Sequence, residues 1–237
     1  LIHSNTTNGS TTFTDSSSGS HTITAHGAVA HSTVKAKFGS SSILCTASTG
    51  LDLADHADFD FGTGAFTIEA WVNLASIPAQ HSTIFGKTGS GSTDLGFRVR
   101  GTTGKFSVNE QVSNSDSNST STNSVCDGNW HHLACSRTSG GTLNQWVDGA
   151  DNKTGGSSRN CDNAHPLGIT ADNSNNRGYG VVGYVDEIRI SKGVSRYSGS
   201  TFTPPTEVMI TGATGTLIQS ANTVGSAKTK VGGTMLY

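Results

Sequence analysis

The chain has 237 residues, 32% of them hydrophobic and 14% charged, with glycine at 30 positions and serine and threonine together at 65. That length can bury a sizeable core, but the scarcity of long helix-forming side chains excludes a helical bundle, whereas threonine and glycine suit pleated strands and tight turns. A net charge of −2 offers no field for phosphate backbones, which excludes a nucleic-acid partner, and no apolar run approaches the ~20 residues of a membrane span, so no membrane insertion is expected. Strand signals recur at short intervals between Gly/Ser/Asn clusters, the pattern of an all-β sandwich or barrel. In chain order they are predicted at 21–25, 42–46, 66–72, 82–87, 95–99, 105–109, 132–137, 143–147 and 181–190. The third is the clearest: Phe66, Ile68, Ala70 and Val72 alternate with Thr67, Glu69, Trp71 and Asn73, giving one fully apolar face. Asp148-Gly149 closes the strand before it with a two-residue hairpin signal, because both residue types tolerate positive φ.

Two polar stretches read as exposed loops, 112–124 and the Asn-rich 171–180 that ends near Tyr179. A helical turn is expected only around Gly193–Tyr197. Pro204 and Pro205 stop any strand, so residues 1–207 are taken as one domain. Residues 208–237 have too few large apolar side chains for a core of their own and end in Met235-Leu236-Tyr237. They read as a connecting or assembly segment that adds to a sheet edge or pairs with a neighbouring subunit, and a homo-oligomer is expected. Cys45, Cys126, Cys135 and Cys161 lack metal-finger spacing; they read as small buried thiols or as one of three disulfide pairings.

Four motifs in order carry a resemblance. They are Phe66-Thr67-Ile68-Glu69-Ala70-Trp71-Val72; Asn129-Trp130-His131-His132-Leu133-Ala134 with Arg137; Leu143 to Gly149; and Gly183-Tyr184-Val185-Asp186-Glu187-Ile188-Arg189-Ile190. Together with Asp15-Ser16-Ser17-Ser18-Gly19 and Phe38-Gly39-Ser40-Ser41 they resemble the laminin G-like, concanavalin A-like lectin/glucanase superfamily over about residues 1–207. The resemblance implies a jelly-roll sandwich of two antiparallel sheets. Arg196-Tyr197 with Phe202-Thr203-Pro204-Pro205-Thr206 is similar to the version found in phage and marine viral tail or fibre proteins, which implies a virion or extracellular surface location.

Among residues that could carry chemistry, Asp186 shares strand phase with Tyr184, Ile188 and Ile190, so its carboxylate falls in an apolar layer where it needs a partner. The resemblance implies a structural Ca²⁺ there, shared with Asp15; the alternative is backbone N–H groups or an arginine. Two positions where the family often carries Asp are Asn5 and Thr46 here. A glycosidase needs two carboxylates across a cleft, yet the four glutamates, Glu69, Glu110, Glu187 and Glu207, show no Glu-x-Asp-x-x-Glu arrangement. His131 and His132 are strand neighbours that point to opposite faces and cannot chelate together. Sugar binding calls for an aromatic platform with amide and carboxylate neighbours. Trp146 with Asn144, and Tyr179 with Asp172, Asn175 and Arg177, are the candidates, while Trp71 and Trp130 read as core. These residues favour a non-catalytic lectin-like adhesion module that binds host-surface glycans. The alternative is a structural virion decoration or fibre component that only contacts neighbouring virion subunits.

Overall fold

The structure, a computed structural model, describes residues 1–88, 94–112, 115–150, 153–157, 160–171 and 179–210. In chain order the strands are β1 (Ile23–His26), β2 (Ala30–Ser32), β3 (Ser42–Cys45), β4 (Gly50–Leu53), β5 (Phe66–Asn73), β6 (Ser82–Lys87) and β7 (Asp94–Val99). Then come β8 (Lys105–Val112), β9 (Ser115–Ser124), β10 (Trp130–Arg137), β11 (Thr142–Val147), β12 (Lys153–Gly156), β13 (Leu167–Ile169) and β14 (Gly183–Lys192). They form two antiparallel sheets, β1-β4-β13-β6-β7-β8-β9 and β12-β11-β10-β5-β14-β3-β2, packed as a jelly-roll sandwich. The predicted all-β architecture is therefore observed.

β5 lies at the centre of the second sheet, paired with β10 and β14. Its apolar face, Phe66, Ile68, Ala70 and Val72, enters the core with Leu133, Cys135, Val185 and Ile188. Leu51, Phe85, Leu95, Phe97 and Phe106 come from the opposite sheet. Each of these large side chains, removed from water, contributes about 1.5–3 kcal/mol. All eight residues of β5 are buried, including the polar phase Thr67, Glu69, Trp71 and Asn73. Both faces of the strand are covered: residues 194–209 run across the outside of the second sheet over Thr67 and Glu69, while Phe38 and Lys37 pack on Trp71 and Lys35 bonds Asn73. Val194 O accepts from Thr67 Oγ1 (2.8 Å), Ser195 Oγ meets Ser136 Oγ (2.8 Å), and Phe202 N–H donates to Gly149 O (2.8 Å). Gly149 has φ +71°, and a Cβ there would run into the Phe202 carbonyl, so this close approach requires glycine. At the end of the arm, Met209 is buried and its N–H donates to Glu187 Oε2 (2.6 Å), so the chain stays bound to the sandwich past residue 207. The rest of the segment, 211–237, lies outside the described residues.

Three local readings need correction. Most of the stretch read as a loop over 112–124 is β9, the edge strand paired with β8. Gly193–Tyr197 forms no helical turn: Gly193 is a turn residue at φ +78° and 194–197 are irregular, whereas a 3₁₀ turn lies at Ala57–Phe59. Asp186 does not share phase with Ile188 and Ile190, because a bulge between Asp186 and Arg189, with Glu187 at φ +51°, shifts the register. The four cysteines are free thiols, three of them buried; burial pushes the Cys45 thiol up to about 12.

Candidate ligand-binding end of the sandwich

Trp146 was a candidate platform because its sequence neighbours are polar. It does point outward on β11, yet it is 0% exposed. The arm covers it: the Tyr197 and Phe202 rings, stacked on each other at 3.8 Å, meet it edge-on at 6.1 and 5.4 Å. Asn144, also outward and buried, has its Oδ1 accepting from Thr154 Oγ1 (2.7 Å). This pair is structural where the sequence suggested a sugar platform.

The same covered face holds Glu69, fully buried. Its Oε1 accepts from Arg189 Nε (2.8 Å) and Nη2 (2.7 Å), and its Oε2 from His132 Nε2 (3.1 Å) and Tyr197 Oη (2.6 Å). Burial opposes the charge, but His132, Arg189 and Tyr197 outweigh it and hold the carboxyl below the ordinary range. With both oxygens doubly occupied, Glu69 is held as a structural anion. His131, on the opposite phase, bridges Asp148 (2.7 Å) and Asp127 (3.0 Å).

The two carboxylates considered for calcium are each enclosed by N–H and O–H donors. Asp15 accepts from the Leu1 nitrogen (3.0 Å), Ser17 N–H (2.9 Å), Ser17 Oγ (2.7 Å), His21 N–H (3.0 Å) and His21 Nδ1 (2.8 Å). Asp186 accepts from the N–H groups of Lys37 (3.1 Å), Phe38 (3.4 Å) and Glu187 (3.0 Å). Burial pushes Asp186 up to about 7, with the Glu187 charge adding to it, and its three backbone donors do not offset this. The carboxylates share no hydrogen-bond partner. Calcium needs six to eight converging oxygens, and donors pointed inward at each carboxylate do not fit that requirement.

The remaining candidate, Tyr179, lies at the end of the sandwich where β5 finishes. The loops 46–49 and 74–81 and the stretch 179–182 meet there, around an open depression of about 530 Å³ lined by Ala47, Pro78, Gln80, His81, Tyr179 and Val182. Tyr179 stacks on His81 with ring centroids 4.5 Å apart and planes 10° from parallel. Gly180 beside it bridges Thr83 of β6, which ties the tyrosine to the sheet. Val182 and Ile77 are exposed at 51% and 47% on the same end. An aromatic face with an apolar rim and an amide suits a ligand that offers C–H surface and hydroxyls together. Asp172, Asn175 and Arg177 lie outside the described residues. Sequence reasoning missed His81 and Gln80, since His81 is an isolated histidine far from Tyr179 along the chain, and only the fold makes them neighbours.

A family model described as the Concanavalin A-like lectin/glucanases superfamily, of laminin G type, matches residues 46–195. The chain belongs to that superfamily. No curated protein sequence matches it. Among solved structures, it is similar to the binding domain of Paraclostridial Mosquitocidal Protein 1 (12% identity, TM-score 0.61, 76% of this chain and 46% of that one). It is similar also to the receptor binding domain of botulinum neurotoxin C/D mosaic serotype (11%, 0.61, 82% and 48%). A third is domain 4 of AbnA, a GH43 extracellular arabinanase from Geobacillus stearothermophilus, in complex with arabinotriose (19%, 0.56, 74% and 84%). The chain thus spans under half the length of the two toxin domains. At these identities the likeness is one of fold.

Proposed function

We propose that this concanavalin A-like domain is a non-catalytic, lectin-like adhesion module, part of a virion or extracellular surface protein, that holds glycans at the Tyr179–His81 end. The stacked ring pair at the rim of an open depression carries the reading. It is supported by the similar structures: two are binding domains of toxins, and one is an arabinanase domain holding arabinotriose. A hydrolytic role is disfavoured by Glu69, whose oxygens are committed to Arg189, His132 and Tyr197. The test is a glycan array with the full chain, followed by titration of each hit against Tyr179→Ala and His81→Ala. Losing the aromatic face should weaken binding about five- to tenfold, since such stacking contributes about 1 kcal/mol. No bound glycan, or hits indifferent to both substitutions, would overturn the assignment of this end.

A further inference from the structure

At the other end of β5, the loop 54–65 leads into Phe66, and its 3₁₀ turn brings His56 and Asp58 against His21. Three atoms converge there: His21 Nε2 lies 3.4 Å from His56 Nδ1 and 3.1 Å from Asp58 Oδ2, and the last two are 3.4 Å apart. Their hydrogen-bond partners fix what these atoms present. His21 Nδ1 meets the buried Asp15 carboxylate at 2.8 Å, which places the proton of the neutral ring on that nitrogen and leaves Nε2 with a lone pair. His56 Nδ1 accepts the Asp58 N–H at 3.1 Å, so it too is the unprotonated nitrogen. Two lone pairs and a carboxylate oxygen within 3.4 Å of one another repel unless a positive charge sits among them.

We propose that His21, His56 and Asp58 form a binding site for a first-row transition-metal dication, zinc in the first instance. Zn–N and Zn–O distances of about 2.0–2.1 Å place tetrahedral ligands about 3.3–3.4 Å apart, which is the size of this triangle. Two imidazoles and one carboxylate suit zinc and its neighbours in the series, not calcium or magnesium. Asp15 is the positioning carboxylate behind His21; it is itself fixed by Ser17 and the His21 N–H. The Phe59 ring packs on His21 at 4.7 Å and limits its rotation. His56 and Asp58 are a little over half exposed, so an ion can enter from solvent. A pocket of about 210 Å³, which His21 and Asp58 line with Ser17, Phe59 and Lys192, leaves room for a fourth, non-protein ligand. Metal binding at Nδ1 would replace the exposed His56–Asp58 N–H bond. This site is distinct from the Tyr179 end and stands whether or not that end binds glycans.

The experiment uses the full chain, stripped with chelator and titrated with ZnCl₂ by calorimetry, with CaCl₂ and MgCl₂ as controls. Co²⁺ provides a visible ligand-field spectrum of the site. The expected result is one equivalent of zinc, no response to calcium or magnesium, and a tetrahedral Co²⁺ spectrum. His56→Ala and Asp58→Asn, both at exposed positions, should each weaken zinc at least tenfold while the circular dichroism spectrum stays unchanged. Asp15→Asn should weaken it by about 10–100-fold, as loss of a carboxylate behind a ligating histidine does. Absence of zinc binding would overturn the proposal, with a proton on His21 Nε2 then supplying the positive charge. Zinc binding unaffected by His56→Ala and Asp58→Asn would overturn it as well, by locating the ion at other histidines.

Discussion

Replacing Glu69 by glutamine probes the face that the arm covers. The amide keeps the volume but has only one acceptor oxygen, whereas the carboxylate receives two donors on each of its oxygens. In either orientation the NH₂ group faces donors: the Arg189 guanidinium, or His132 and Tyr197. Removing the charge from a buried pair leaves its partner uncompensated and costs about 3–5 kcal/mol. For a chain of this size each kcal/mol lowers Tm by about 2–4 °C, so Glu69→Gln should fall by about 6–20 °C. Urea unfolding followed by tryptophan fluorescence is the assay, since Trp71 and Trp146 both lie on the covered face. Arg189→Met alone should also destabilise strongly. The double variant should recover part of the loss, because no unpaired charge then remains. A loss under about 1 kcal/mol for Glu69→Gln, with no coupling to Arg189, would refute a structural role and would put Glu69 back among candidate functional carboxylates.

Two pH dependences follow from the ionisable groups. Asp186, pushed up to about 7, keeps in the fold a proton that the unfolded chain releases near 3.8. Its contribution is therefore most favourable below about pH 4 and declines by roughly 4 kcal/mol as pH rises to about 7; in Asp186→Asn, the urea-unfolding free energy should lose that slope. His131 is raised chiefly by its bond to Asp148, which is itself lowered by His131. The histidine's share is lost as pH rises through its folded value and the aspartate's as pH falls through its own. The pair should thus contribute most between about pH 4 and 6.5, and only about 1 kcal/mol given its exposure; an unfolding curve for His131→Asn that is unchanged at pH 5.5 would contradict this.

The inward phase of β5 was legible because burial follows a period of two, and Phe66, Ile68, Ala70 and Val72 occupy that phase without exception. The outward phase was not, because alternation says which way a side chain points and not what lies above it. Trp146 pointed as the pattern requires, but a segment some fifty residues later in the chain covers it. β9 was missed for another reason. Its Ser/Asn/Thr/Asp composition carries no burial signal, and its place is set by backbone pairing along the open edge of β8. Asp186 defeated the period itself, since a single residue at positive φ moves every later side chain to the other face.

The arm across the second sheet also explains where binding chemistry can sit. Pro204 and Pro205 lack N–H groups, so this stretch needs fewer backbone partners than a strand and can cross a sheet face without joining it. Its two aromatic rings close over Trp146 and His132, and its tyrosine hydroxyl completes the shell of Glu69. Such a cover makes the broad outer face around β5, β10 and β11 unavailable to a ligand, however polar its residues look in sequence. Among the described residues, two open sites lie at the two ends of β5. One presents stacked rings and exposed Val182 and Ile77; the other presents two imidazoles and a carboxylate. An apolar, aromatic rim and a lone-pair triangle attract different ligands. The strand that separates them is fixed on both faces, so each end can be altered by mutation without moving the other.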